Sequence, residues 1–185
     1  MKNLLLVTIL LAATTATLSG CQSTPDNSNA ANYLTQPVLK SSLMTTDGSN
    51  RDLGMIYLRP VQTGVQVYGR LTGLPAGKTV ALHIHETGSC HDMGKAAGGH
   101  FNPVDKPHGH PDNADSHAGD LPNMTADSQG VAHINYVNNK ISVAMAGPNS
   151  VYRRAFIVHA GADDYTTQPS GGSGDRIACG IIEKN

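Results

Sequence analysis

Seven of the chain's nine histidines fall between His83 and Asp120, in the order H-x-H, then G-G-H-F-N-P, then H, then H-x-x-D. That order reads as two metal sites with one ligand in common, so the fold must hold these imidazoles together on a rigid frame. The first pair says what kind of frame. In Val80-Ala-Leu-His-Ile-His-Glu86, apolar residues and histidines alternate with the period of a β-strand. Side chains two apart on a strand point to the same face, so His83 and His85 can reach one ion. The pair alone does not name the ion, because imidazole suits copper, zinc, iron and nickel alike. One histidine of such a pair can also be an ordinary, partly buried strand residue.

The remaining pattern is more specific. His100 lies in Gly98-Gly-His-Phe-Asn-Pro103, His108 follows eight residues on, His117 nine further and Asp120 three after that. Later come His159-Ala-Gly-Ala-Asp163 and Arg176-Ile-Ala-Cys-Gly180. With these elements the chain resembles the copper/zinc superoxide dismutases, from about residue 38 to residue 182. The resemblance implies a copper site of His83, His85, His100 and His159, and a zinc site of His100, His108, His117 and Asp120. His100 is the bridge, and two adjacent dications would stabilise its ring as an imidazolate. Copper and zinc are the implied cofactors, and no organic cofactor is needed. The implied reaction is disproportionation of superoxide to dioxygen and hydrogen peroxide by alternate reduction and reoxidation of copper, with His100 carrying a proton. Arg176 would attract the anion beside copper, since a guanidinium is always charged and can donate to an oxygen pair. A surface ion pair with Asp175 is the plainer reading of that arginine. Asp163 corresponds to a carboxylate that accepts from the far nitrogens of His83 and His108, orienting ligands of both sites.

The N-terminus points to export. Met1-Lys-Asn3 is a short positive region, Leu4 to Ala16 an apolar or small-residue run too short to span a bilayer comfortably, and Leu18-Ser-Gly-Cys21 a processing site ending in cysteine. This resembles a bacterial lipoprotein signal, which implies removal of residues 1–20 and a lipid anchor on Cys21. An ordinary secretory peptide cleaved nearby is the alternative. Gln22 after the cysteine favours the outer membrane, so the expected location is the periplasm or cell envelope. Residues 21–34, rich in Ser, Asn, Thr, Asp and Pro, read as a flexible tether, and residues 35–185 as one domain. In an oxidising compartment Cys90 and Cys179 can pair, closing a loop of about 90 residues worth roughly 4 kcal/mol in the chain-entropy model. Two reduced, buried cysteines are the other possibility. The net charge of −1, or −2 without Lys2, offers no basic patch for nucleic acid.

Tryptophan is absent, aromatics make up 4% and there are 20 glycines, which describes a loop-rich β protein. Strand-like runs cover residues 38–46, 54–59, 65–74, 79–86, 131–137, 141–144, 154–159 and 176–182, separated by turn signals such as Asp47-Gly48 and Asn138-Asn139. The expectation is an all-β, eight-stranded antiparallel Greek-key sandwich or flattened barrel. The copper/zinc superoxide dismutases that the chain resembles have that sandwich architecture. Two long loops, residues 87–123 and 160–175, carry the ligands and the arginine, as long loops inside a domain commonly do.

Three histidines fall outside the scheme. His110 could replace His108, although the eight-residue interval favours His108. His91 reads as a solvated loop residue or an accessory copper-loading point, and His133 as a structural strand residue. A copper- or zinc-binding or copper-delivery protein of the periplasm is the competing function, and an inert sandwich on a lipid tether a weaker one. The substrate, superoxide, is the implied partner, and the chain is expected to be a monomer or a homodimer.

Overall fold

The computed structural model describes residues 36–185, so the leader, Cys21 and the tether lie outside the described residues. The strands are β1 (Leu39–Thr45), β2 (Asp52–Val61), β3 (Gly64–Leu71), β4 (Thr79–Val80), β5 (Leu82–His85), β6 (Met124–Thr125), β7 (Ala132–Asn138), β8 (Ala155–His159), β9 (Arg176–Ile181) and β10 (Glu183–Lys184). Among the described residues the one helical piece is a 3-10 turn at Lys95–Ala97. Eight strands form one antiparallel sheet in the order β5-β8-β9-β1-β2-β3-β7, with β10 beside β1. Strands β4 and β6 make a separate ribbon.

Alternation explains these strands. In β1 the residues Leu39, Ser41, Leu43 and Thr45 are buried between more exposed neighbours, which puts one face on the core. The sheet is curled: Leu82 and Ile84 on its β5 edge share one core with Ile134 on its β7 edge, together with Leu39, Leu58 and Val67. Each fully buried Leu or Ile of this kind contributes about 1.5–3 kcal/mol relative to exposure. Strands β5 and β8 are buried on both faces. Leu82, Ile84, Phe156 and Val158 point to the core, which leaves His83 and His85 on the other side, under the loops.

Two expected strands differ. The run at 79–86 is interrupted at Ala81, whose N–H donates to the Gly161 carbonyl and whose carbonyl accepts from the His159 N–H. The chain changes partner there, from β6 on one side to β8 on the other. The run at 141–144 is not a strand. Ile141 and Val143 are buried, so its alternation is real, but the backbone makes only an isolated parallel bridge between Ser142 and Ser150.

The long loop after β5 is fastened back onto that strand. Ile84 N–H donates to Gly119 O at 2.9 Å, Phe101 N–H to Ile84 O at 2.8 Å and Gly119 N–H to Phe101 O at 2.8 Å. Gly119 must be glycine for this approach, because a Cβ there would collide with the Ile84 carbonyl oxygen. Bridges between His83 and Asp120 and between His85 and His100 complete the seam. The seam sets the ligand-bearing loop alongside the H-x-H strand.

Candidate metal centre

The strand and the loops bring two groups of buried ligand atoms together, each within 4.8 Å: His83, His85, His100 and His159, and His100, His108, His117 and Asp120. His100 belongs to both. All seven residues are buried, with His100 the most exposed at 7%.

In the first group the ring orientations are set by what each outer nitrogen meets. His83 Nε2 lies 2.8 Å from Asp163 Oδ2, His85 Nδ1 2.9 Å from Gly98 O, and His159 Nδ1 3.0 Å from Gly174 O. The opposite nitrogens therefore face inward. His83 Nδ1 and His100 Nε2 are buried without a hydrogen-bond partner, and His85 Nε2 and His159 Nε2 stand 3.4 Å apart. Orphaned buried nitrogens are costly unless something else binds them. A cation at their centre is the ligand that four converging imidazoles suit.

In the second group the Nδ1 atoms converge on one carboxylate. Asp120 Oδ1 lies 2.8 Å from His100, 3.1 Å from His108 and 3.3 Å from His117. His100 and His117 Nδ1 are 3.4 Å apart. Four ligands at about 2.0–2.1 Å around a tetrahedral zinc ion would stand roughly 3.3 Å from one another. Backbone N–H groups of Gly109 and His117 donate to Asp120 Oδ2, each at 3.1 Å, and hold its other oxygen away. The donor set therefore fits copper in the all-histidine group and zinc in the group with a carboxylate.

One residue joins the outer sides of both groups. Asp163 receives His83 Nε2 on one oxygen and, at 2.9 Å, His108 Nε2 on the other. Its own placement depends on Asn123, which pairs with the Asp163 backbone through both ends of its amide, and on the Tyr165 N–H. Gln168 in the same way pairs with the backbone N–H and carbonyl of His108. Asn123 and Gln168 had no signal in the sequence, being single amides in irregular segments.

In the metal-free chain, burial pushes His83 down to about 3, His85 to about 2 and His159 to about 4, so these rings are neutral and ready to ligate. Burial also lowers His100. Burial alone would lower His108, but its bonds to Asp120 and Asp163 outweigh that and raise it to about 9. The same histidine bonds overcome burial to hold Asp120 and Asp163 well below the ordinary carboxylate range.

The first group opens to solvent through a cleft of about 530 Å³ lined by His85, His100, His159, Pro169, Gly174 and Arg176 among others. Arg176 donates to the carbonyls of Gly94 and Gly98, each at 2.6 Å. No carboxylate of the described residues lies within ion-pair distance of it, so the ion pair with Asp175 is not formed. Both carbonyls belong to the segment after Cys90, and Cys90 is bonded to Cys179, three residues beyond Arg176, across a Cα separation of 5.7 Å. The disulfide thus joins the strand that carries the arginine to the loop that orients it.

The other histidines stand apart. His110 is exposed, packs edge-on to Tyr165 at 4.6 Å and does not enter the second group, whereas His108 does. His91 and His133 are exposed.

A curled β-sheet whose loops bring two buried four-ligand groups together through one histidine defines a binuclear metal protein. The family described as copper/zinc superoxide dismutase (SODC) matches residues 53–182. A relative named superoxide dismutase [Cu-Zn] 2 from Aquifex aeolicus is 36% identical over 146 residues, covering 77% of this chain and 84% of that protein. A superoxide dismutase [Cu-Zn] from Deinococcus radiodurans is 36% identical over 164 residues, 81% of this chain and 86% of that one. Among solved structures, a double mutant of a SOD-like protein from Bacillus subtilis superposes with a TM-score of 0.71 at 34% identity, covering 78% of this chain and 96% of that one. The chain belongs to the copper/zinc superoxide dismutase family.

Proposed function

We propose that this chain is a copper/zinc superoxide dismutase of the bacterial cell envelope. The observation that carries the reading is the sharing of His100 between two buried ligand groups, with Arg176 lining the cleft that leads to the first. His83, His85, His100 and His159 are the copper ligands, and His100, His108, His117 and Asp120 the zinc ligands. Bound there, copper would take one electron from a first superoxide, which leaves as dioxygen, and return it to a second, which leaves as hydrogen peroxide with one proton from His100 and one from solvent, while zinc would supply charge without redox chemistry.

The residues do the rest. Arg176 draws the anion into the cleft and orients it by paired donors, its guanidinium kept charged at any ordinary pH although burial lowers its pKa. His100 presents Nε2 to the copper group, and that nitrogen is where a proton can be held for delivery to peroxide. Asp163 fixes the rings of His83 and His108, and Asp120 gathers three histidines.

The test is superoxide decay catalysed by the purified domain loaded with both metals. Catalysis near the diffusion limit is expected. Full loading without turnover would instead favour a copper-handling protein, a reading that the intact ligand groups and the arginine in the cleft speak against. The leader and Cys21 support a lipid-anchored, periplasmic enzyme that removes superoxide arising outside the cytoplasm. Cys21→Ser should move the protein from the membrane to the soluble fraction, and retention on the membrane would overturn the anchor.

A further inference from the structure

We propose that Lys140, with Tyr136 and Asn138, forms a clamp at the end of β7 that presets the loop between His108 and His117 and so controls how tightly zinc is held. The inference rests on the zinc assignment above. Along β7, alternate residues face inward, and Ala132 and Ile134 are buried in the core. Beyond them the same face turns polar, at positions 136, 138 and 140. Every one of these three side chains ends on the segment 111–118.

Asn138 is fully buried, and its Nδ2 donates to Ala118 O at 2.9 Å. Its Oδ1 accepts from the Lys140 N–H at 2.8 Å, which fixes the turn that aims the lysine. Lys140 Nζ then donates to Pro111 O at 2.9 Å, Asn113 O at 3.1 Å and Ser116 Oγ at 2.5 Å. An ammonium has three N–H donors, so all of them are committed to one loop. Tyr136 adds a bond from its hydroxyl to Asp112 Oδ1 at 3.1 Å.

The placement of these bonds gives the function. They land along the irregular stretch 111–116 and just beyond it at Ala118, and Ser116 and Ala118 bracket the ligand His117. None touches a ligand atom. Residues 112–115 are exposed and belong to no strand, and their other bonds are local turns and a surface ion pair of Asp115 with Lys106, so the clamp is what ties them to the sheet. A loop held in this way presents His117 in its ligating position before the ion arrives, and zinc then does not have to order the chain on binding. Lys140 is thus a positioning residue for zinc.

The test compares Lys140→Met with the natural chain, both loaded with copper and zinc and with the disulfide intact. Zinc release to a chromogenic chelator should be roughly tenfold faster in the variant, the lower end of what outer contacts of a metal site control. Copper content should be unchanged. Cobalt placed in the zinc site should have shifted visible bands, because the His117 geometry is no longer fixed, and the melting temperature should fall further in the loaded than in the metal-free form. Unchanged zinc release with unchanged cobalt bands would overturn the clamp. Equal falls in melting temperature with and without metal would also overturn it, since Lys140 would then support the fold in general. If Lys140→Met does not fold, Tyr136→Phe removes one outer bond only. It should speed release about two- to threefold, a smaller share of the same outer-contact effect, and no change would again overturn the proposal. A natural chain that takes up copper but no zinc would instead sink the zinc assignment itself.

Discussion

Asp163 and Arg176 do different work at the two groups. Asp163 bonds a ring from each ligand group, so Asp163→Ala should loosen copper and zinc together, each by about 10–100-fold. Competition with a chelator for each metal measures this, and loss of one metal alone would show that the carboxylate serves a single site. The Arg176 side chain bonds none of the residues in the two groups, only carbonyls of the neighbouring loop. Arg176→Ala should therefore leave both metals bound while lowering kcat/KM about tenfold or more and flattening its dependence on salt, as expected when a focusing charge is removed. Loss of copper from this variant would contradict the assigned role. The residues that the fold gathers into the two groups were legible in the sequence because strand alternation and motif order distinguish them. The amides of Asn123 and Gln168 were not, because a side chain that serves a loop backbone follows no period.

At the scale of elements, a strand is decided by its partners as much as by its own pattern. Ile141 to Ala144 alternates like a strand, yet its apolar residues can be buried without a ladder, and the backbone finds only one bridge. The run from Thr79 to Glu86 is likewise one pattern divided between two partners at Ala81. The short β6 and β10, two residues each, are too brief for alternation to reveal. Which loop would carry the clustered histidines was clearer from sequence than the loop's shape: His100, His108 and His117 marked the segment 87–123, but the seam through Gly119 that fastens it to β5 depends on tertiary contact. The disulfide belongs to this scale. Replacing Cys90 and Cys179 by serine should cost on the order of 4 kcal/mol in stability. It should also lower turnover with both metals retained, since the Gly94 and Gly98 carbonyls would no longer hold Arg176 in place. Calorimetry and metal analysis check both parts, and full activity in the double variant would mean the loop holds its shape unaided.

Over the whole molecule, the metal-free protein should depend on pH with a sign set by its buried rings. His83, His85 and His159 titrate near 3, 2 and 4, below the ordinary 6.5, so the unfolded chain takes up protons first as pH falls. Their contribution is whole above about 6.5 and is lost progressively as pH falls through the folded values. His108, raised to about 9, has the opposite sign, with a contribution whole below 6.5 and lost as pH rises through 9. The three lowered rings outweigh it on the acid side, so the melting temperature of the metal-free chain should fall steadily from pH 7 to pH 4. A flat profile would contradict the burial of these rings. The fold as a whole should bring two metals to opposite nitrogens of the His100 ring. The measurement that tests it most directly is electron paramagnetic resonance of the chain with Cu(II) in the all-histidine site and Co(II) in the other. A shared His100 imidazolate should couple the two ions and suppress the copper signal seen when only diamagnetic zinc is its neighbour. A copper signal of full intensity beside bound cobalt would mean that the sites are not joined.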